Sequence, residues 1–237
     1  MADPKDPFGA AAILNLGETS RRESPMDWAI EALRLSSAGL SRETIEAWPL
    51  GQMDHKLVQL RERQFGSSWP STPQCTQCGE VFELDIEPRR MGFEGSAPYD
   101  GWVPTGAVIV DGAERDVRAL IVRDLLALER CRDEASARAY LGAALAVQDE
   151  ALDDALEVAT ELDPLVNIWI STRCPECGAP QSILFDPARF LAEEIARSAD
   201  RVLSEVSEIA LAYHWSEDAI LAMPPERRNF YRSRIPM

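Results

Sequence analysis

Apolar residues repeat at helical spacing near both ends of this chain, and alternate at strand spacing in short stretches between them. Trp28, Ala29, Ala32 and Leu33 fall on one face of a helix expected over 26–35, and Leu57, Leu60 and Gln64 mark another over 54–64. Between these, Ser41 suits an N-cap with Glu43 and Thr44 in the first turn, and Pro49 and Gly51 are expected to end that short helix. The Gly-, Ser- and Pro-rich stretch 66–73 reads as a loop. Residues 1–23 read as a flexible lead-in, because Pro, Gly, Ser and mixed charge leave little period.

Period two appears in 81–86, where Val, Phe, Leu and Ile are interleaved with Glu and Asp, and predicts a half-buried strand. After a loop over 88–104, residues 107–110 and 116–120 flank Asp111 and Gly112, a dipeptide that favours a hairpin turn with positive φ. Helical spacing resumes over 122–129, 136–147 and 150–162, and the last of these carries seven acids and no base between Asp149 and Asp163. Such a run reads as a solvated face. β-Branched and aromatic residues predict strands over 165–170 and 182–185. Asp186 and Pro187 then open the longest helix, which runs to about residue 213 with Leu191, Ile195, Val202, Val206 and Ile209 on its apolar stripe. Ser216 caps a further short helix, and Pro224 and Pro225 precede a last one over 226–234.

Composition narrows the classes. The 237 residues are 46% apolar, enough for one large core or two small ones, and the formal net charge is −16. That acidic balance argues against nucleic-acid backbone binding, which calls for a basic face. The longest apolar runs, such as 143–147, fall far short of the ~20 residues that span a bilayer. The first residues lack a basic stretch followed by a long apolar core, so a cytoplasmic protein with no membrane partner is expected.

The five cysteines change the picture most, because four of them form two Cys-x-x-Cys pairs, each followed by glycine: Cys75 and Cys78 with Gly79, and Cys174 and Cys177 with Gly178. Such a turn places two thiolates on one side of a tight knuckle, and the glycine lets the backbone turn its amides toward the sulfurs. Two facing knuckles would complete a four-sulfur tetrahedron around a structural zinc ion. The 95 residues between Cys78 and Cys174 exceed the usual knuckle separation. Four reduced cysteines, a disulfide or an iron centre are the other readings of the same residues. Cys131 reads as a small apolar helix residue, and His55 and His214 as packing or surface residues. The expected fold is therefore α+β and mainly helical. It comprises a lead-in (1–23), an N-terminal helical segment (24–70), a zinc ribbon split between 71–87 and 165–186, an inserted hairpin with acidic helices (88–164), and a long C-terminal helix with two short ones (187–237).

The phrase from Ile209 to Tyr231, with Tyr213-His-Trp215-Ser at the end of a long helix and Arg227-Arg228 before Tyr231, resembles a motif of contractile phage tails and phage-tail-like injection systems. Trp48-Pro-Leu-Gly51, Val122-Arg-Asp-Leu-Leu126 and the run from Cys174 through Phe185-Asp186 to Leu191 are similar to the same group, the T-even phage baseplate hub assembly chaperones. The resemblance implies a non-enzymatic baseplate component or assembly chaperone whose partners are baseplate, hub or spike proteins, carried in the cytoplasm or within a phage-tail-like particle. Tyr213, Trp215, Arg227, Arg228 and Tyr231 are its candidate partner-binding residues, since aromatics and arginines are favoured at interfaces. The competing function is a zinc-ribbon module contacting nucleic acid or transcription machinery. No triad, phosphate-cradling loop or other catalytic grouping is legible, so no enzyme is expected.

Overall fold

A computed structural model describes residues 7–95, 99, 101–110 and 112–236. The chain forms α1 (Ala10–Thr19), α2 (Pro25–Ser36), α3 (Arg42–Glu46), α4 (Leu50–Phe65), β1 (Trp69–Ser71), β2 (Leu84–Ile86), β3 (Thr105–Val110) and β4 (Ala113–Arg118). There follow α5 (Val122–Leu128), α6 (Glu134–Leu145), α7 (Leu152–Glu161), β5 (Trp169–Arg173), β6 (Pro180–Leu184), α8 (Pro187–Tyr213), α9 (Glu217–Leu221) and α10 (Pro225–Arg232). The strands pair only as antiparallel hairpins, β1 with β2, β3 with β4 and β5 with β6, so the fold is α+β and mainly helical. Two compact units result: one from the segments before Leu40 and after Pro187, the other from Leu40–Pro187.

The first unit corrects the expectation of a flexible lead-in over residues 7–23, while residues 1–6 of that stretch lie outside the described residues. Ala10–Thr19 is a helix that buries Ile13, Leu14, Leu16 and Gly17. Its weak period hides a close helix contact, because a Cβ on Gly17 would lie 2.4 Å from that of Ala199 on α8. The buried Trp28 indole donates to the Leu16 carbonyl at 2.8 Å, satisfying the one polar atom of a ring that is 1% exposed. Ser24 caps α2 by accepting from the Asp27 amide, with Pro25 at the first helical position. At its far end α8 stops at His214, which adopts φ 56° and donates its amide to Ala210 at 2.9 Å.

In the second unit, β3 and β4 pack Val108 and Val117 against Leu145 of α6 and against Leu152, Ala155 and Ala159 of α7. The acids Asp153, Asp154, Glu157 and Glu161 of α7 are exposed, as a solvated face requires. Arg138 of α6 reaches Asp149 and Asp153 at 2.7 and 2.9 Å. The hairpin turn uses Gly112 at φ 76°, while Asp111 lies outside the described residues. Gly51 does not end a helix. Instead it stands in the first turn of α4, whose N-cap, Pro49, has no side chain to accept an amide. That role falls to Asp163, 112 positions later, whose Oδ2 accepts from the Gly51 amide at 2.7 Å while Oδ1 accepts from the Tyr99 hydroxyl at 3.1 Å. Burial pushes the Asp163 carboxyl above its ordinary value, against the pull of those donors. A second buried carboxylate, Asp124, accepts two bonds from Arg118 at 2.6 and 3.0 Å, one from Tyr140 at 3.1 Å and one from the Ile121 amide at 2.9 Å. It thereby fastens β4, α5 and α6.

His55 of α4 is fully buried, 6.2 Å from the Phe93 ring, and neither ring nitrogen has a hydrogen-bond partner among the described residues. Burial, with Lys56 adding to it and Glu62 opposing, holds its pKa below the ordinary histidine value. The unfolded chain therefore takes up a proton near pH 6.5 before the folded chain does, and stability falls as pH drops below that point. His55→Leu should raise stability by about 1–2 kcal/mol at neutral pH by removing unsatisfied polar atoms. The gain should widen at pH 5.5, as urea unfolding at both pH values would show; a loss at both would contradict this account.

Candidate metal centre

Each cysteine pair sits at the turn of a hairpin. The chain enters the first knuckle from β1, crosses a single bridge between Gln74 and Val81, and returns in β2. The second knuckle joins β5 directly to β6. At the base of the two hairpins, Trp69 of β1 meets Phe185, the residue after β6, edge to face at 5.4 Å, and Phe93 packs on Phe185 at 5.6 Å. The strand expected over 81–86 is regular only from Leu84, and the one expected over 165–170 begins at Trp169 and continues to Arg173. β1 occupies part of the stretch expected to be loop.

The two knuckles share the same pair of main-chain bonds. The Cys75 amide donates to Glu80 at 2.7 Å and the Gly79 amide to Cys75 at 3.0 Å; the Cys174 amide donates to Ala179 at 3.0 Å and the Gly178 amide to Cys174 at 2.9 Å. Gly79 and Gly178 take φ 76° and 72°, the left-handed region that lets each turn close. The residue before each first cysteine also caps its knuckle, Gln74 through Gly79 at 3.0 Å and Arg173 through Gly178 at 3.1 Å.

All four sulfurs lie within 4.8 Å of one another, and they are the only such group of metal-ligating side chains among the described residues. The cross-knuckle pairs Cys75–Cys177 and Cys78–Cys174 are each 3.7 Å apart. Zn–S bonds of about 2.3 Å in a tetrahedron give sulfur edges of about 3.8 Å, so the cluster fits such an ion. None of the cysteines is in a disulfide. Cys75 and Cys174 are buried, 3% and 2% exposed, against Phe82 and Ala179, while Cys78 and Cys177 face solvent. The Cys78 amide above all, with that of Gln77, lowers the Cys75 thiol to about 6. The Glu80 amide favours a Cys78 thiolate too, yet partial desolvation of the sulfur within the cluster and the neighbouring sulfurs prevail and push that thiol up to about 12. The Ala179 amide and Cys78 favour a Cys177 thiolate, yet desolvation together with Cys174 and Cys75 raises that thiol above its ordinary value. Four sulfurs this close cannot all ionise without a cation among them, and a divalent metal relieves that repulsion.

Gln181 was not legible as part of the site. It lies on the buried face of β6, 7% exposed, and its Nε2 approaches Cys75 Sγ at 3.5 Å. Its Oε1 accepts from the Thr76 amide and hydroxyl at 3.1 and 3.2 Å, so one side chain of the second hairpin orients the first knuckle. Its only sequence signal is a polar residue at an inward position of a strand. Gln181→Leu should weaken metal binding about 10- to 100-fold, as loss of an outer hydrogen bond commonly does. Competition with a chromogenic chelator would measure this, and unchanged affinity would remove Gln181 from the site.

The other predicted positions separate. Cys131 donates to the Ala127 carbonyl at 3.5 Å and lies outside the sulfur cluster, and His214 is an exposed helix stop. Tyr213, Trp215 and Tyr231 come together: Tyr213 stacks on Trp215 at 4.9 Å, Tyr231 meets both edge-on, and the Tyr213 hydroxyl donates to the Tyr231 carbonyl at 3.1 Å. Arg227 is exposed. Arg228 is not: it is 4% exposed, pairs with Glu205 of α8 at 2.9 Å and donates to the Met223 carbonyl at 2.7 Å, so it holds α10 in place. Phe230, 52% exposed beneath the Arg234 guanidinium at 4.5 Å, meets Tyr231 edge-on and extends the cluster to the surface. No helix among the described residues is long and apolar enough to cross a membrane. No protein-family model, curated protein or solved structure matches the chain.

Proposed function

We propose that the chain holds one zinc ion as a structural clasp and works as a non-enzymatic component or assembly chaperone of a contractile, phage-tail-like injection machine. The observation that carries the clasp is the cluster of four sulfurs within 4.8 Å of one another, two cross-knuckle pairs of it at 3.7 Å, supplied by two hairpins 95 residues apart. Cys75, Cys78, Cys174 and Cys177 would hold the ion, which contributes cross-linking free energy; with four thiolates bound, no coordination position remains for an activated water. Zinc is favoured over iron by its tetrahedral preference for sulfur in closed structural sites. The adaptor reading draws on the resemblance of the 209–231 phrase and on the Tyr213, Trp215, Tyr231 and Phe230 cluster, with Arg234 over Phe230 and Arg227 exposed on the same short helix as Phe230. Baseplate, hub or spike proteins are its partners under this reading. The net charge of −16 weighs against nucleic acid as the partner.

Elemental analysis of the purified chain should give one zinc per molecule, and a pull-down from its native cells should recover tail or baseplate proteins. Alanine at Trp215 and Phe230 should lower that recovery while leaving the metal in place. Normal, active particles in cells lacking the chain would sink the adaptor reading, and a metal-free protein would sink the clasp.

A further inference from the structure

The hairpin that carries the second knuckle has an open edge. The Phe185 amide donates to Ile168 at 2.8 Å and the Cys174 amide to Ala179 at 3.0 Å, which sets the alternation of the antiparallel ladder between them. In that register Ile170 and Thr172 bond across to β6, whereas the main-chain groups of Trp169, Ser171 and Arg173 point away from it. No third strand pairs with β5 among the described residues. The outer edge of β6 is less receptive, because it begins at Pro180, which has no amide to donate. Natural sheet edges are commonly covered by another element or blunted, and the outward groups of β5 are paired with no strand among the described residues.

The side chains above that edge are graded. On the solvent face Trp169 lies opposite Leu184, Ser171 opposite Ser182 and Arg173 opposite Pro180. Trp169 is 58% and Leu184 46% exposed, an apolar pair left in water at one end. At the other end Arg173 donates to a neutral carbonyl and has no carboxylate partner among the described residues, in a chain where acids outnumber bases 40 to 24. A shallow concavity of about 570 Å³ lies there, lined by Ser171, Thr172, Arg173, Pro180, Gln181 and Ser182.

The geometry points to β5 as a docking edge for an extended peptide segment of a partner protein, added as a third strand, with an apolar side chain against Trp169 and a carboxylate on Arg173. Main-chain bonds to the outward groups of Trp169, Ser171 and Arg173 supply affinity, and side chains on alternate positions supply specificity. Trp169 and Arg173 are four residues apart on one face, so the bound segment carries its apolar and acidic residues four apart. This inference rests on strand register and charge, and it holds or fails independently of the adaptor reading.

The test is selection of a random decapeptide display library against the full-length, metal-loaded chain, followed by fluorescence polarisation of the enriched peptides. Enriched sequences should place Asp or Glu four positions from a large apolar residue. Ser171→Pro, which removes an outward amide, should lower their affinity at least about tenfold, with metal content and melting unchanged. Arg173→Glu, which also removes the cap on Gly178 and so is compared at matched metal content, should lower their affinity as well, and exchanging the peptide's acid for lysine should restore binding to that variant, a readout that survives if the proline variant does not fold. The idea is overturned if no sequence is enriched, if charge reversal restores nothing, or if the edge instead pairs with a second copy of the chain or binds single-stranded oligonucleotides.

Discussion

Cys174→Ser should release the metal and cost the Leu40–Pro187 unit at least about 4 kcal/mol, enough to leave much of it unfolded at 37 °C. The lower bound comes from chain entropy. A clip that closes a loop of about 100 residues removes on the order of 4–5 kcal/mol of freedom from the unfolded chain. Apparent zinc-binding free energies in small four-ligand sites are larger still, about 10–16 kcal/mol near neutral pH. Against a typical net stability of about 5–15 kcal/mol, either figure decides whether the unit is folded. Serine adds a local cost, because Cys174 is 2% exposed between Phe82 and Ala179, where a hydroxyl replaces a metal-bound sulfur. Cys78→Ser should lose the metal as well, with less local damage, since Cys78 is exposed. Cys131→Ser should keep full metal content and melt within about 1 kcal/mol of the parent, because its sulfur makes one long contact to a carbonyl. Metal stoichiometry with denaturant unfolding of the three variants separates these outcomes. A Cys174→Ser chain that binds no metal yet melts unchanged would show that packing, led by Trp69 on Phe185, holds the two hairpins without a clasp.

What the sequence disclosed follows the range of the forces involved. Helices with local causes were legible: Pro187 at the first position and a continuous apolar stripe mark α8, and Ser41 and Ser216 cap α3 and α9 through the amides of Thr44 and Ala219. The four metal ligands were legible because a knuckle is itself a local motif, repeated twice. Features set by distant partners were not. Gly17 looks like a helix breaker until Ala199 is seen against it, and Gly51 looks like a terminator until Asp163 is seen to cap the helix it begins. Arg228 reads as a surface cation because Glu205, 23 residues earlier, stands one helix away. Gln181 is invisible for the same reason, as its partners Thr76 and Cys75 lie 105 and 106 residues back.

Gly51→Ala tests the strongest of these distant constraints, and two effects oppose each other in it. In a helix interior alanine is favoured over glycine by about 1 kcal/mol, so propensity alone predicts a more stable protein. Space predicts the reverse: a Cβ at residue 51 would lie 2.1 Å from Asp163 Oδ1 and 2.7 Å from the Leu165 Cβ. Neither neighbour can give easily, because Asp163 is 1% exposed and is held by the Gly51 amide and the Tyr99 hydroxyl. Overpacking of this kind costs about 1–3 kcal/mol, and displacing the carboxylate forfeits its hydrogen bonds at about 1.5–3 kcal/mol. The clash therefore wins, and Gly51→Ala should destabilise the Leu40–Pro187 unit by about 2–4 kcal/mol in urea unfolding with the metal retained. In an Asp163→Ala background the oxygen is gone and only Leu165 resists, so the same substitution should cost less than half as much. A neutral or stabilising Gly51→Ala would mean that the loop carrying Asp163 yields freely, and that α4 begins without the cap assigned to it.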